Sequence, residues 1–373
     1  MPSGYRKVLF LKLAEQGSTV LAFETLHRAV ARVGRENVYF LVFEENRFVV
    51  DLLGLVPREN VFTVETKSAW SMVTSCLVRL FEIRRLKLDA CVDLEFFSRS
   101  TAVIAWLTGA KIRAGFHASF GGPYRGDLFT HRVGFNANQH TSRVFGSLLE
   151  ALDSGTACSP ASEGSVLVMV DIPRFMPTSE ECDEMRAQLL EFGVGIHGTI
   201  VLLNANAGDL LPLRKWSGDN YVSVARRLLD QFPECFVVFT GSPGEETETA
   251  VLVGRVASPR CFSLAGRTTL RELVTLYTLA DVLVTNDSGP AHFAALTEIE
   301  VVVLFGPETP VLFAANTPRN HVLWAGLACS PCVNAFNNRQ TACRNNLCMQ
   351  SISVGQVFNS VSRIYEKRQI RVA

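Results

Sequence analysis

Leu283-Val284-Thr285-Asn286-Asp287-Ser288-Gly289-Pro290-Ala291-His292-Phe293-Ala294-Ala295-Leu296 is the stretch that decides the fold. An apolar run closes in an acidic turn holding glycine and proline, and a small-residue helical pattern starts at once. Pro290 suits a first helical turn, where its missing N–H costs nothing, and Ser288 or Gly289 suits the cap. The stretch therefore reads as strand, tight turn, helix. Unpaired N–H groups at such a helix start, with the dipole behind them, attract a phosphate. His292 falls one turn inside, within reach of the same anion. Taken alone, the turn fits equally an ordinary βα connection with a structural histidine.

Outward from this turn, two α/β halves are legible. In the first, Val8–Leu13 is a strand-like run, followed by a polar turn and a helical pattern from Thr19 to Val33. Short apolar strands are expected at Val38–Phe43, Val61–Val64 and Ala90–Leu94, separated by amphipathic segments. The second half repeats the alternation at Thr199–Asn204, Phe236–Thr240, Val282–Thr285 and Val301–Phe305. Strands alternating with helical patterns predict parallel sheets with crossover helices. Asp153–Ser165 has a linker composition, which sets the expected domains at 1–164 and 165–353. The tail, 354–373, has helical spacing and is expected to pack back on the first half.

Composition is that of a chain with a large core: 373 residues, 48% hydrophobic and 19% charged. Lys plus Arg and Asp plus Glu balance at 36 each, so no global field draws the chain to nucleic acid or membrane. The amino terminus lacks the pattern of a signal peptide, which leads to the expectation of a cytoplasmic protein, with a surface patch as the route to any membrane association. Six of the ten cysteines, among them Cys76, Cys91 and Cys235, are scattered and read as small buried hydrophobes. Cys329, Cys332, Cys343 and Cys348 cluster at a spacing that a structural zinc could use.

Beyond Glu300 comes a second apolar run, Val301–Phe305, then Gly306-Pro307-Glu308-Thr309-Pro310, and then the cysteine cluster. These elements, in this order, resemble glycosyltransferase family 9, the ADP-heptose:lipopolysaccharide heptosyltransferases. That family carries an Asp-(Ser/Thr)-Gly-x-x-His turn, a Phe-Gly-Pro-Thr-x-Pro turn about one βα unit later, and a cysteine-bearing carboxyl-terminal segment. Glu308 stands where the family usually has Thr. The resemblance implies a GT-B fold, two Rossmann-like doubly wound domains facing across a cleft. It implies an inverting glycosyltransferase that moves a heptose from a nucleotide-diphosphate donor, ADP-heptose, to a saccharide or glycolipid acceptor. It also argues against zinc, because its similar cysteines recur without an implied metal. No Asp-x-Asp motif occurs in the chain, so no cofactor is expected, and the diphosphate is left to helix N–H groups and basic side chains.

The donor residues that the resemblance implies are Asp287, Ser288, Gly289, Pro290 and His292, with Arg214 in the position of the family's diphosphate-binding lysine and Lys215 beside it. Glu245 or Glu246 takes the place of its ribose-binding glutamate; read structurally, either is a plain helix-start carboxylate. In the family's first βα turn an Asp is the general base, and here Ser18 occupies that position. Serine is no base at neutral pH unaided, so Glu15, the nearest carboxylate, is the replacement candidate. Glu15 and Ser18 otherwise fit a helix cap. Arg113, His117, Tyr124, Arg125 and His140 lie in or beside glycine-rich, loop-like stretches and are the acceptor-binding candidates. Two competing functions stay open: a GT-B relative with epimerase or hydrolase chemistry, and a catalytically silent sugar-nucleotide binder, which Ser18 favours.

Overall fold

A computed structural model describes residues 4–117, 125–153, 158, 159, 172, 174–195, 198–208 and 211–372. It divides into one compact unit of residues 1–172 with 334–340, and a second of residues 173–333 with 341–373. The boundary expected at residue 164 lies outside the described residues.

In the first unit, strands β1 (Val8–Leu11), β2 (Val38–Phe43), β3 (Val61–Val64), β4 (Ala90–Asp93), β5 (Ile112–His117), β6 (His131–Gly134) and β7 (Cys158–Ser159) form one sheet of order β3-β2-β1-β4-β5-β6-β7. Every pairing is parallel. The chain starts at the middle, builds outward to β3, then crosses back to β4 on the other side of β1. β1 and β4 are buried along their whole length, as expected where helices cover both faces of a parallel sheet. The helix expected over 19–33 is two, Gln16–Leu21 and Phe23–Val33. Arg113–His117, read from its glycine as loop-like, is strand β5; Gly115 is needed there because Phe129 packs 2.5 Å from where a Cβ would stand.

The second unit repeats the plan. Strands β8 (Thr199–Asn204), β9 (Cys235–Phe239), β10 (Cys261–Ser263), β11 (Val282–Asn286), β12 (Glu300–Phe305) and β13 (Asn320–Trp324) are ordered β10-β9-β8-β11-β12-β13, again all parallel. Alternate residues of β8, β9, β11 and β12, such as Val201, Val237, Val284 and Val302, form one core with the helix Gly218–Gln231.

The carboxyl-terminal helix, Val354–Val372, corrects an expectation. It belongs to the second unit, where Val357, Phe358, Val361 and Ile364 enter that same core and Phe232 stacks on Tyr365. Its apolar stripe is buried against the helix Gly218–Gln231 of the same unit. No described helix is long and apolar enough to cross a membrane.

Candidate active site

A doubly wound sheet opens a crevice at the carboxyl ends of its strands where the strand order reverses. In the second unit that point lies between β8 and β11, and it is where the quoted turn falls. Asn286 closes β11 with four hydrogen bonds. Its Nδ2 donates to the carbonyls of Ala205 (3.2 Å) and Asn206 (3.0 Å); its Oδ1 accepts from Trp216 N (3.1 Å) and Tyr221 Oη (3.2 Å). The Trp216 indole donates to Ile352 O at 2.9 Å, and Asn346 Nδ2 to the carbonyls of Leu213 and Lys215 at 3.0 Å each. The loop after β8 is thereby fixed to β11 and to the cysteine-bearing segment. A fully bonded buried amide of this kind is costly to break.

This fixed loop delivers Arg214. Its Nη2 donates to Ala207 O at 3.3 Å and its Nη1 lies 3.5 Å from Glu308 Oε2, while Nε is buried with no hydrogen-bond partner among the described residues. Asp287 and Glu308, both buried, hydrogen-bond through their carboxyls beneath it. Burial raises Asp287, opposed by Arg214, and burial with the Asp287 charge pushes Glu308 up to about 8. Two carboxyls this close share one proton at neutral pH.

The sign for stability follows from that rise. Glu308 keeps its proton in the folded chain where an unfolded glutamate has lost it. Its contribution is present below the ordinary glutamate range and is lost as pH climbs through about 8. Replacing it by Gln removes that dependence. The melting temperature of Glu308→Gln relative to wild type is expected to rise between about pH 5 and about pH 9. A difference that stays constant over this interval would contradict the shared proton.

The helix Gly289–Ala294 begins as expected, with Pro290 in its first turn. Ser288 sits at the cap position without capping through its side chain, donating instead to Asn286 O at 3.2 Å. His292 is buried in the same helix. Two donor candidates are placed differently. Lys215 Nζ pairs with Glu248 at 2.5 and 2.7 Å, so its charge is directed at the helix Glu246–Val256. Glu245 Oε2 accepts from Ser242 N at 2.7 Å in a capping box, and Glu246, exposed, opens the helix that follows.

In the first unit the order reverses between β1 and β4. Lys12, wholly buried past the end of β1, donates to Ala14 O at 2.6 Å and to Glu95 Oε2 at 3.1 Å. Burial lowers this ammonium and Glu95 opposes the shift. Glu95 Oε1 accepts from Ala14 N at 2.8 Å, which fixes the turn. Glu15 then adopts a left-handed conformation, φ 65°, rare for a side-chain-bearing residue and characteristic of functional turns. Its carboxylate pairs with Arg339 and lies 3.8 Å from Lys12 Nζ. Ser18 Oγ is 3.0 Å from Glu15 O and 3.3 Å from Glu15 Oε2, and no side-chain cap forms. Glu15 is the partly exposed carboxylate of the group; Ser18 is buried under it.

Arg125 is a correction. Its guanidinium is buried and bonded to Asp93, to Thr101 Oγ1 at 2.9 Å and to Ser98 O at 2.8 Å. It ties β4 to the loops around it and presents nothing to an acceptor. Arg113 likewise spends Nε on Leu128 O (2.8 Å) and Nη1 on Ala110 O (2.6 Å). His140 caps the helix Thr141–Ala151, with Nδ1 2.8 Å from Ser142 Oγ. His117 ends β5, half-buried, and Tyr124 lies outside the described residues. Cys329, Cys332, Cys343 and Cys348 are free thiols. Among the described residues no three His, Cys, Asp or Glu side chains form a group that could hold a metal ion.

Sequence reading passed over Lys12, Glu95 and Arg339. A lysine closing an apolar strand was the visible signal for the first; nothing local marks Arg339, which reaches Glu15 from 324 positions away.

Two units of Rossmann strand order, each with charged residues at its switch point, define the GT-B class. A family model, "Glycosyltransferase family 9 (heptosyltransferase)", matches residues 82–342, and the chain belongs to that family. Among curated relatives, lipopolysaccharide heptosyltransferase 2 of Salmonella typhimurium is 31% identical over 101 residues, 26% of this chain and 29% of that protein. The chain thus matches less than a third of that relative's length. Over the full fold it is similar to the solved E. coli ADP-heptose lps heptosyltransferase II (TM-score 0.72, 16% identity, 97% of this chain and 99% of that one). It is similar also to a family 9 glycosyl transferase from Veillonella parvula (TM-score 0.74, 17% identity, 98% and 99%).

Proposed function

We propose that the chain is an inverting glycosyltransferase that transfers a heptose from ADP-heptose to a saccharide of lipopolysaccharide type. The observation that carries this reading is Arg214, a partly buried guanidinium whose Nε has no hydrogen-bond partner among the described residues, held at the switch point of the second unit beside the uncapped start of Gly289–Ala294. A partly buried cation with a donor left over beside such a turn suits a diphosphate. The heptosyltransferase relatives supply the sugar, and the name of the solved E. coli protein supplies ADP.

In this reading the donor diphosphate lies over Asp287, Ser288, Gly289 and Pro290, and His292 shapes the floor of the site. Arg214 turns from Glu308 to the phosphate oxygens, and the leaving ADP is stabilised by that charge without a metal ion. The first unit receives the acceptor, whose hydroxyl gives its proton to Glu15 as oxygen attacks the anomeric carbon. Arg339 and Lys12 hold the Glu15 carboxylate in place for that transfer. The reaction belongs at the cytoplasmic side of the membrane that holds the acceptor.

A thermal-shift panel of ADP, UDP, GDP and CMP with EDTA present, on wild type and His292→Ala, tests the donor half. ADP in large excess is expected to stabilise wild type selectively, by a few kcal/mol, and the variant less. Equal response to all four nucleotides would remove the ADP assignment. Ser18 in the position of the family's Asp favours a second reading, a sugar-nucleotide binder without turnover; it predicts the same ADP shift and no transfer.

A further inference from the structure

The helix Ala69–Arg85 carries apolar side chains on both of its sides. Leu80 and Ile83 face the sheet and are buried, Ile83 in one core with Leu9, Leu11 and Ala105. Trp70, Val73, Leu77 and Phe81 recur at helical spacing on a neighbouring stripe and are 77%, 49%, 58% and 58% exposed. Beside them the helix Arg99–Leu107, which enters the same core through Ala102 and Ala105, exposes Val103 and Trp106. Arg84 Nη1 donates to Leu107 O at 3.0 Å and joins the ends of the two helices. A surface helix with a second, exposed apolar stripe beside its buried one presents a contiguous apolar patch that marks an interaction surface.

The charge on this surface says what the partner is. Segments 67–87 and 99–111 hold seven basic residues and one acidic residue, Glu82, in a chain whose basic and acidic residues balance overall at 36 each. Arg84, Arg85, Lys87, Arg99 and Lys111 are exposed, and Arg85 lies over the Phe81 ring at 4.2 Å. Large apolar and aromatic side chains rimmed by Lys and Arg match the boundary of an anionic bilayer. A second copy docking through the same patch would set this basic rim against itself.

We infer that the exposed face of the helices Ala69–Arg85 and Arg99–Leu107 docks on an anionic lipid surface, with Trp70, Leu77 and Phe81 entering the headgroup boundary and Arg85, Lys87 and Arg99 meeting lipid charge. Helix Ala69–Arg85 starts beyond the carboxyl end of β3, the same end of the sheet as Glu15. Trp70 therefore docks at the end of the sheet that also carries Glu15, which, on the proposed function, is where a glycolipid acceptor is received.

Co-sedimentation of the full chain with vesicles tests this. Wild type is expected to bind phosphatidylethanolamine–phosphatidylglycerol vesicles (about 7:3) and to leave phosphatidylcholine vesicles unbound. The triple variant Trp70→Ser, Leu77→Ser, Phe81→Ser is expected to bind roughly tenfold more weakly or less. Arg85→Gln with Arg99→Gln is expected to lower binding and its salt dependence together. All these side chains are exposed, and equal melting temperatures confirm that the variants fold. Absence of binding, or binding that the triple variant keeps, overturns the inference. A concentration-dependent dimer in sedimentation velocity, abolished by the triple variant without vesicle binding, would assign the face to a second copy instead. None of these outcomes depends on nucleotide.

Discussion

Arg214→Ala is expected to weaken ADP binding about 50-fold or more, and to lower turnover at fixed donor by a similar factor. One charge-assisted hydrogen bond to a phosphate is worth roughly 1.5–3 kcal/mol, which is a factor of about 10 to 150. The loss is placed toward the upper part of that range because Arg214 is the cation over Asp287 and Glu308. Without it the diphosphate meets a carboxyl pair with no counter-charge. Arg214→Lys keeps the charge but not the forked geometry, and is expected to fall between the two. Trp216 and Asn286 hold the loop independently of the guanidinium, so both variants should fold. Calorimetric titration with ADP checks the prediction. An affinity within about twofold of wild type in the alanine variant would place the diphosphate away from this loop.

The second large effect belongs to Glu15. Removing a general base typically costs about 10²- to 10⁴-fold in rate. Glu15→Gln is expected to lower kcat by that order while ADP affinity stays near wild type, since Glu15 stands in the first unit and the nucleotide residues in the second. Arg339→Met, which frees the Glu15 carboxylate from its ion pair, is expected to lower kcat less and to move the pH profile of kcat. A Glu15→Gln variant that kept most of its turnover would exclude it as the base. The role would then pass to another group, and the left-handed backbone at Glu15 would need a different reason.

The sequence showed the architecture well because the signals were local. Each central strand is a short apolar run, and the Asp287–His292 turn sits where a strand stops and a proline-started helix begins. Parallel strands buried on both faces need no alternation to be recognised, only length and flanking turn residues. The edge strands were harder. β13 keeps polar and half-exposed residues, and β5 carries a glycine that serves packing against Phe129 while looking like a loop. The carboxyl-terminal helix was legible as a helix, but its partner was not, because an apolar stripe does not state which core it joins.

Site chemistry was legible where one side chain does one job, and lost where the job is shared. Arg214 was proposed from its motif, and it lies against Glu308 at the switch point. Its partner Glu308 was seen only as a departure from the family pattern, and the proton shared with Asp287 arises only when burial brings the carboxyls together. Arg125 misled because an arginine beside glycine and aspartate reads as exposed; in the fold its partner, Asp93, is buried with it. Arg339 could not be seen at all, since contact with Glu15 across most of the chain is a product of topology.

The most direct measurement is the transfer itself. The chain is incubated with ADP-heptose, EDTA and a lipopolysaccharide acceptor stripped of its outer sugars, with ADP release followed against product and the new linkage read by NMR. One ADP released per heptose transferred, inversion at the anomeric carbon, and loss of both signals in Arg214→Ala are expected. ADP binding without transfer, or transfer with retained configuration, would contradict the proposed function.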